Sequence, residues 1–302
     1  MPSELSTILP VVVLVGVIHL AIFLIVSRNK KKRRYALAES VTLRAPGQSL
    51  LNQMDRVTGD IQGCYIYLSI IPLAVLVVHF FLSYILNKPE SWLRITVSAG
   101  IVLTYGCYFL VRLMALGAKR KTFHHAYEGE VLVAKQLNRL MDDGYHVYHD
   151  FPADRFHIDH VVIGPTGVMA VETRTRVKAV SRNRNPDPVV TYDGRMLHFP
   201  KYSDYQIIEK AKYQAAWLSQ WIAATVGEDI AARAIVALPG WSVKRTSAEG
   251  IPVVNPSQFE TLFKHIKPRP LSEGQVASII RQIDQQCRNS DIDGNACFTV
   301  SG

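Results

Sequence analysis

The chain has 302 residues, a formal net charge of +9 at pH 7 and four cysteines. That length is enough for two domains, and four cysteines are too few for a secreted fold built on disulfides. The slightly positive mean hydropathy excludes a wholly soluble, highly charged chain, and the apolar excess lies in the first third of the sequence.

Three apolar runs in that first third have the length of membrane spans, which is about 20 residues for a helix. They cover residues 8–26, 64–86 and 94–116. Basic residues follow the first run at 28–34 and the third at 119–121. Basic flanks stay in the cytoplasm, so residues 1–117 are predicted to be a membrane region with three transmembrane helices, a basic cytoplasmic loop and an external N-terminus.

A cleaved signal peptide is the alternative for the first run. It would require basic residues before the apolar core, and residues 1–7 contain no lysine or arginine. The run at 28–34 also predicts attraction to anionic membrane lipid, without specificity for a head group.

From Ala126 the pattern becomes that of a soluble α/β domain. Apolar periodicity and turn residues predict its elements in chain order. Helices are predicted at 127–143, 204–226, 257–266 and 272–287, and strands at 145–151, 157–164, 168–176, 196–199, 234–238 and 251–254. Gly144 is a plausible C-cap of the first helix, and Asp193-Gly194 is the turn of a hairpin.

Residues 157–174 are the chemically most informative stretch. Two apolar runs flank the turn residues Pro165, Thr166 and Gly167, which predicts a β-hairpin with a connection of three to five residues. Side chains alternate between the faces of a strand, so Glu172 and Arg174 share a face, and a tight return can bring Asp159 beside Glu172. Two carboxylates and a positively charged side chain at one point can bind Mg²⁺ together with a phosphate group.

Four short segments in this part of the chain form a motif in a fixed order. They read Gly129-Glu130, Ile158-Asp159-His160, Gly164 to Gly167 and Glu172-Thr173-Arg174. Together they resemble the nuclease-related domain (NERD), a branch of the PD-(D/E)xK nuclease-like superfamily, over roughly residues 126–270. Arg174 departs from the family pattern, which has lysine there.

The resemblance implies a restriction-endonuclease-like α/β domain with an α-β-β-β-α-β core and a mixed central sheet. We assign it to residues 118–270 and leave 271–302 as a C-terminal helix and polar tail. Together with the α-helical transmembrane region, this is the expected fold class.

The resemblance also implies the site. Glu130, Asp159, Glu172 and Arg174 are the expected catalytic residues. Mg²⁺ or Mn²⁺ would be bound by Asp159, Glu172 and the carbonyl of Thr173, with Glu130 reaching it through water. Arginine has a pKa above about 12 and cannot act as a base, so Arg174 fits phosphate binding better than water activation.

A basic strip follows the hairpin and is predicted to bind the phosphate backbone of nucleic acid. It consists of Arg174, Arg176, Lys178, Arg182 and Arg184. The alternative is an ordinary solvated loop. Gln214 and Lys210 lie one turn apart on the predicted helix 204–226. By resemblance they face the site, with Gln214 near nucleic acid, and otherwise they belong to the water-facing side.

The expected function is a membrane-anchored, Mg²⁺-dependent endonuclease that acts on DNA, or else RNA, at the cytoplasmic side of a bacterial inner membrane. A catalytically weakened module that binds nucleic acid or a protein is the alternative, and Arg174 favours it. A transporter or channel fits poorly, because the three spans carry no acidic residue.

Overall fold

The computed structural model describes residues 44–86, 92–176 and 188–293. These residues divide into two compact units. The first comprises residues 53–86 and 92–122, and the second comprises 44–52, 123–176 and 188–293. The predicted span 8–26, the basic run 28–34 and the basic residues Lys178, Arg182 and Arg184 lie outside the described residues.

The described part of the first unit consists of most of two long helices, α1 (Gln48–Leu86) and α2 (Trp92–Leu137). The first turn of α1 and the last part of α2 belong to the second unit. Both are long and apolar enough to cross a membrane, and they contain the predicted spans 64–86 and 94–116. α1 already begins in the predicted polar connection, and α2 continues into the helix predicted separately at 127–143. Neither added stretch contains a proline, so nothing local ends the helix.

The described part of the second unit contains nine short strands and five further helical segments. After a 3₁₀ turn at Asn138–Asp143, the strands are β1 (His146–Pro152), β2 (His157–Gly164), β3 (Gly167–Thr173), β4 (Val189–Tyr192), β5 (Leu197–Phe199), β6 (Tyr202–Asp204), β7 (Arg233–Ala237), β8 (Ser242–Arg245) and β9 (Val253–Val254). The helices are α3 (Gln206–Val226), a 3₁₀ turn at Pro256–Gln258, α4 (Phe259–His265) and α5 (Glu273–Asp293).

The main sheet has the order β1-β2-β3-β7-β9. Its first three strands are antiparallel, whereas β7 is parallel to both β3 and β9. The predicted helical N-terminal region and mixed-sheet α/β domain are therefore confirmed.

A second sheet, β6-β5-β4-β8, lies outside the expected core order. The sequence does not predict β6 and β8, because the stretches Tyr-Ser-Asp and Ser-Val-Lys-Arg lack the apolar alternation of a half-buried strand. Two element ends also differ from the prediction: β3 ends at Thr173 rather than Arg176, and α5 continues to Asp293 beyond Cys287.

The two faces of the main sheet pack against different partners. Val168 and Ala170 of β3 join a cluster with Ile207, Ile208 and other residues of α3. Met169 and Val171 join a second cluster with residues of α2 and α4. This alternation sets the orientation of the next residues, so Glu172 points towards α3 and Thr173 towards the α2 face.

The hairpin between β2 and β3 is tighter than predicted. Gly164 pairs with Gly167, so the connection is the two residues Pro165 and Thr166 rather than three to five. Gly167 has φ of 108°, a conformation that side chains with a Cβ atom rarely adopt.

Gly129 is required by a close approach between α2 and the chain that leaves β3. A Cβ atom on Gly129 would lie 1.9 Å from Thr175 Oγ1 and 3.2 Å from Thr175 Cβ. The contact fixes where the chain runs after Thr173, and it explains why glycine precedes Glu130 on this helix.

We therefore predict that Gly129→Ala destabilises the protein by about 1–3 kcal/mol, because the added methyl group overpacks this contact. Adding Thr175→Ala removes the Oγ1 atom and is expected to restore most of the loss, as measured by thermal unfolding of the full chain.

The matched control is Gly117→Ala on the same helix, where an added Cβ meets no atom within 4 Å. It is expected to leave the melting temperature unchanged or raise it, because alanine favours helix over glycine. Equal effects of Gly117→Ala and Gly129→Ala would contradict the prediction.

Candidate functional site

The β2–β3 hairpin brings the two predicted metal-binding carboxylates together. His160 pairs with Val171, and the same register continued by one residue places Asp159 opposite Glu172. Directly opposed residues of an antiparallel pair point to the same face. The two carboxylates therefore share the face that packs against α3.

Glu172 is almost completely buried, with 1% of its surface exposed. Its Oε1 atom lies 2.6 Å from the Nζ atom of Lys210, and its Oε2 atom accepts a hydrogen bond of 3.0 Å from Nε2 of Gln214. The same Nε2 donates to the carbonyl of His157 at 3.2 Å. Two side chains one turn apart on α3 thus hold the carboxylate in place.

Lys210 is charged in this environment. Burial lowers its pKa, but the negative charges of Glu172 and Asp159 and the hydrogen bond to Glu172 outweigh burial and leave the pKa raised. Arg174 is a smaller opposing influence on the same ammonium group. Lys210 therefore supplies a fixed positive charge and is a poor base.

Asp159 accepts a hydrogen bond of 2.6 Å from the backbone N–H of Thr173. Burial raises its pKa well above the ordinary value, and the charges of Glu172 and Glu130 raise it further. Lys210 and the Thr173 hydrogen bond act in the opposite direction without cancelling the increase. The site thus holds more negative charge than its cations balance.

Glu130, near the C-terminal end of α2, belongs to the same electrostatic group. Burial, followed by the charges of Asp150 and Glu172, raises its pKa to about 8. Its Oε2 atom is buried and has no hydrogen-bond partner among the described residues. A carboxylate in such a place is neutral at pH 7 in the absence of a cation.

Asp150 was not among the predicted site residues. It is 1% exposed and has φ of 50°, in the left-handed region. Its Oδ2 atom lies 3.3 Å from Arg44 Nη2 and accepts a hydrogen bond of 3.1 Å from the N–H of Ser49. Residues of the segment 44–52 are thus in contact with an acid that influences Glu130.

The two described residues of the predicted basic strip differ in how they contact the protein. The backbone N–H of Arg174 donates to the carbonyl of Ala237 at 2.9 Å, while its Nε atom is buried without a partner among the described residues. Arg176 forms an ion pair with Asp204 and lies over the ring of Tyr202, 5.6 Å from its centroid.

The opposite face of the hairpin carries a chain of hydrogen bonds through two histidines. Asn138 contacts His149 at 3.0 Å, the Nδ1 atoms of His149 and His160 are 2.9 Å apart, and His160 contacts Oγ1 of Thr173 at 3.1 Å. Burial lowers the pKa of His149 to about 4 and that of His160 well below its ordinary value. Both rings are therefore neutral at pH 7, and they orient Thr173.

Among the described residues, no three side chains of histidine, cysteine, aspartate or glutamate form a cluster that could hold a metal ion. What the hairpin provides is a pair of carboxylates at Asp159 and Glu172 beside the backbone of Thr173. Glu130 stands close enough to influence both carboxyl groups.

Residues 125–239 match the family model of the nuclease-related domain. The predicted nuclease-related (NERD) domain is thereby confirmed in this stretch. The match begins before Glu130 and ends after β7, so this NERD domain includes the acidic hairpin and the whole of α3. Neither the curated proteins nor the solved structures contain a match to the chain.

The contacts of Glu172 and Asp150 that local sequence patterns do not determine are made with distant parts of the chain. The resemblance leaves Lys210 either at the site or on the water-facing side of the helix, and the one-turn spacing of Lys210 from Gln214 is the sequence signal for the site. No sequence pattern indicated the contact of Arg44 with Asp150, which are 106 positions apart.

Glu130 gives a pH-dependent prediction for the metal-free protein. Its pKa is raised from 4.5 to about 8, so folding costs an increasing amount of free energy as pH rises through that window. We expect Glu130→Gln to remove this cost. The melting temperature of the variant relative to wild type should therefore increase from pH 5 to pH 8.5, by an amount corresponding to a few kcal/mol at most.

The control is Glu128→Gln on the same helix, because the Glu128 side chain is 56% exposed. Thermal unfolding in a chelating buffer should show a smaller effect of this variant at each pH. A difference between Glu130→Gln and wild type that stays constant over the window would contradict the prediction.

Proposed function

We propose that this protein is a membrane-anchored, metal-dependent nuclease that hydrolyses phosphodiester bonds in DNA or RNA. The observation that carries the proposal is the opposed pair Asp159 and Glu172 with Lys210 bonded to Glu172, inside a NERD domain. We further propose that the α/β unit has the restriction-endonuclease-like fold, which the strand order and the position of α3 support.

The residues present fit a divalent cation. The donors are the hard oxygens of Asp159, Glu172 and the Thr173 carbonyl, which suit Mg²⁺ or Mn²⁺ together with phosphate oxygens and water. The buried, unpartnered Oε2 atom of Glu130 and the raised pKa values of Glu130 and Asp159 indicate uncompensated negative charge. When bound, the cation would polarise the phosphate and lower the pKa of a water molecule.

In the family, the positive charge comes from a lysine at the position that Arg174 occupies in this chain. We propose that Lys210 supplies this charge instead. Its Nζ atom lies at the Glu172 carboxylate and remains protonated, so it would stabilise negative charge that develops on the phosphate oxygens. Arg174 follows Thr173 directly and would contact a phosphate oxygen through its guanidinium group.

Gln214 has a positioning role in this proposal. Its side chain is 1% exposed and its amide nitrogen spans Glu172 and the carbonyl of His157. It would hold Glu172 in one orientation, while its predicted contact with nucleic acid stays a prediction. The contacts of Lys178, Arg182 and Arg184 with phosphate likewise remain predictions.

The membrane part of the proposal is supported by the two apolar helices α1 and α2 and by the basic flanks in the sequence. We propose three spans including residues 8–26, an external N-terminus and a cytoplasmic NERD domain at a bacterial inner membrane. The division into a membrane region at 1–117, a nuclease domain at 118–270 and a tail at 271–302 is part of the same proposal.

One observation favours the second candidate function, a catalytically weakened module that binds nucleic acid or a protein. Arg174 replaces lysine, and both oxygens of Glu172 already have partners in α3. A cation would then share Glu172 with Lys210 and Gln214, which would weaken metal binding.

The nuclease proposal predicts that the full chain in detergent cleaves labelled DNA or RNA only with Mg²⁺ or Mn²⁺. Asp159→Ala and Glu172→Ala should each reduce the cleavage rate by on the order of 10³, because each removes an oxygen donor that the cation needs. Cleavage is measured by gel electrophoresis and metal binding by isothermal titration calorimetry.

The matched control is Asp154→Ala, which removes an exposed carboxylate near the start of the same hairpin and should leave cleavage unchanged. Nucleic-acid binding without metal-dependent cleavage would overturn the nuclease proposal and favour the binding module.

Lys210 and Lys212 provide a second test, because their side chains are equally exposed at 45% and both pair with glutamates. We predict that Lys210→Met lowers the cleavage rate by about 10² to 10³, because it removes a charge next to the scissile phosphate. Lys212→Met should change the rate less than about twofold.

Arg174→Lys tests whether the required positive charge comes from Lys210 or from position 174. If Lys210 supplies the required charge, Arg174→Lys leaves the cleavage rate close to that of wild type. Activity that appears only in Arg174→Lys would contradict the assignment to Lys210.

A further inference from the structure

Two aromatic side chains are chain neighbours of residues that hold Glu172 in place. Tyr213 is 60% exposed on α3, and its ring centroid lies 5.4 Å from that of Phe156. We call Phe156 and Tyr213 the aromatic pair. Single exposed aromatic residues are common on protein surfaces, so the position of this pair decides its significance.

The aromatic pair is fixed next to Glu172 by its chain neighbours. Phe156 precedes His157, and Tyr213 precedes Gln214. The amide of Gln214 bonds both the carbonyl of His157 and Oε2 of Glu172. These bonds hold the two residues next to the aromatic pair at the end of β3 that carries Glu172.

Positive charge lies next to the aromatic pair. Lys210 is three residues before Tyr213, which places the two side chains on neighbouring positions of the helix surface. Arg174 acts electrostatically on Lys210 and has a buried Nε atom without a partner among the described residues. A ligand that reaches both Tyr213 and the acidic site therefore needs an aromatic group and an anionic group a short distance apart.

A nucleotide has this combination when its base is free to leave the stack. In a duplex the base faces are covered by neighbouring bases, and only base edges are accessible in the grooves. Exposed aromatic rings beside cations bind unpaired strands instead, because every base has a face on which such a ring can stack.

We propose that the aromatic pair is a base-stacking platform and that the substrate presented to the acidic site is an unpaired nucleic-acid strand. The proposal rests on the proposed nuclease function and specifies its substrate class. Tyr213 stacks on the base next to the scissile phosphate, while Lys210 and Arg174 contact the phosphate groups.

The test measures binding of the full chain in detergent with EDTA, so that no cleavage occurs. Fluorescence anisotropy compares three labelled probes of equal length: a single strand, the same strand with abasic sites throughout its central part, and the duplex. Wild type is expected to bind the single strand about 5- to 150-fold more tightly than the abasic strand, the range that one stacked base gives.

Tyr213→Ala should weaken binding of the single strand by the same factor and leave binding of the abasic strand unchanged. Tyr213→Phe retains the ring and should bind like wild type. Met141→Ala, which also truncates an exposed apolar side chain, should bind like wild type and is the matched control.

The proposal is overturned if wild type binds the abasic strand as tightly as the intact strand, if it prefers the duplex, or if Tyr213→Ala weakens binding to both single strands equally. The first two comparisons use wild type alone and do not depend on a variant that folds. Cleavage with Mn²⁺ is scored separately: absence of cleavage of any probe contradicts the nuclease function, whereas loss of base dependence contradicts the stacking platform.

Discussion

A buried carboxylate on a sheet must be compensated by other groups of the protein, because transfer of an isolated charge into the interior is very unfavourable. Glu172 meets this requirement through Lys210 and Gln214, which both belong to α3. The position of α3 against β3 is therefore set by a charge as well as by apolar packing. Since Val168 and Ala170 lie on the same face, one strand passes from hydrophobic core to acidic site within five residues.

The hairpin separates two kinds of chemistry by the alternation of its side chains. The carboxylates of Asp159 and Glu172 lie on the face towards α3, while His149 and His160 lie on the face towards α2. Thr173 is the point at which the two faces meet. Its N–H group donates to Asp159 and its hydroxyl contacts His160, so the histidine chain supports the acidic site without contributing a ligand to it.

Features of the site that depend on residues close together in the chain could be predicted from the sequence, whereas contacts between distant residues could not be fixed. The acidic hairpin could be predicted because turn residues and alternation act within 18 residues of chain. Local patterns did not define the partner of Glu172, since Lys210 is 38 positions away and α3 periodicity defines only the stripe of Ile207, Ala211 and Leu218. The family resemblance left Lys210 either at the site or on the water-facing side. Strands β6 and β8 are polar and are held by pairing with β5 and β4 rather than by a buried face of their own.

The contact of Arg44 with Asp150 lies within the second unit, although the helical segment 53–122 separates the two residues in the chain. Residues 44–52 belong to the second unit, as do residues from 123 onwards. Among the described residues, the helical segment 53–122 is therefore flanked on both sides by residues of the second unit. In the proposed membrane anchoring, α1 and α2 provide two crossings between residues 52 and 123. Two crossings would leave residues 44–52 and the α/β domain on the same side of the membrane, as the contact of Arg44 with Asp150 requires.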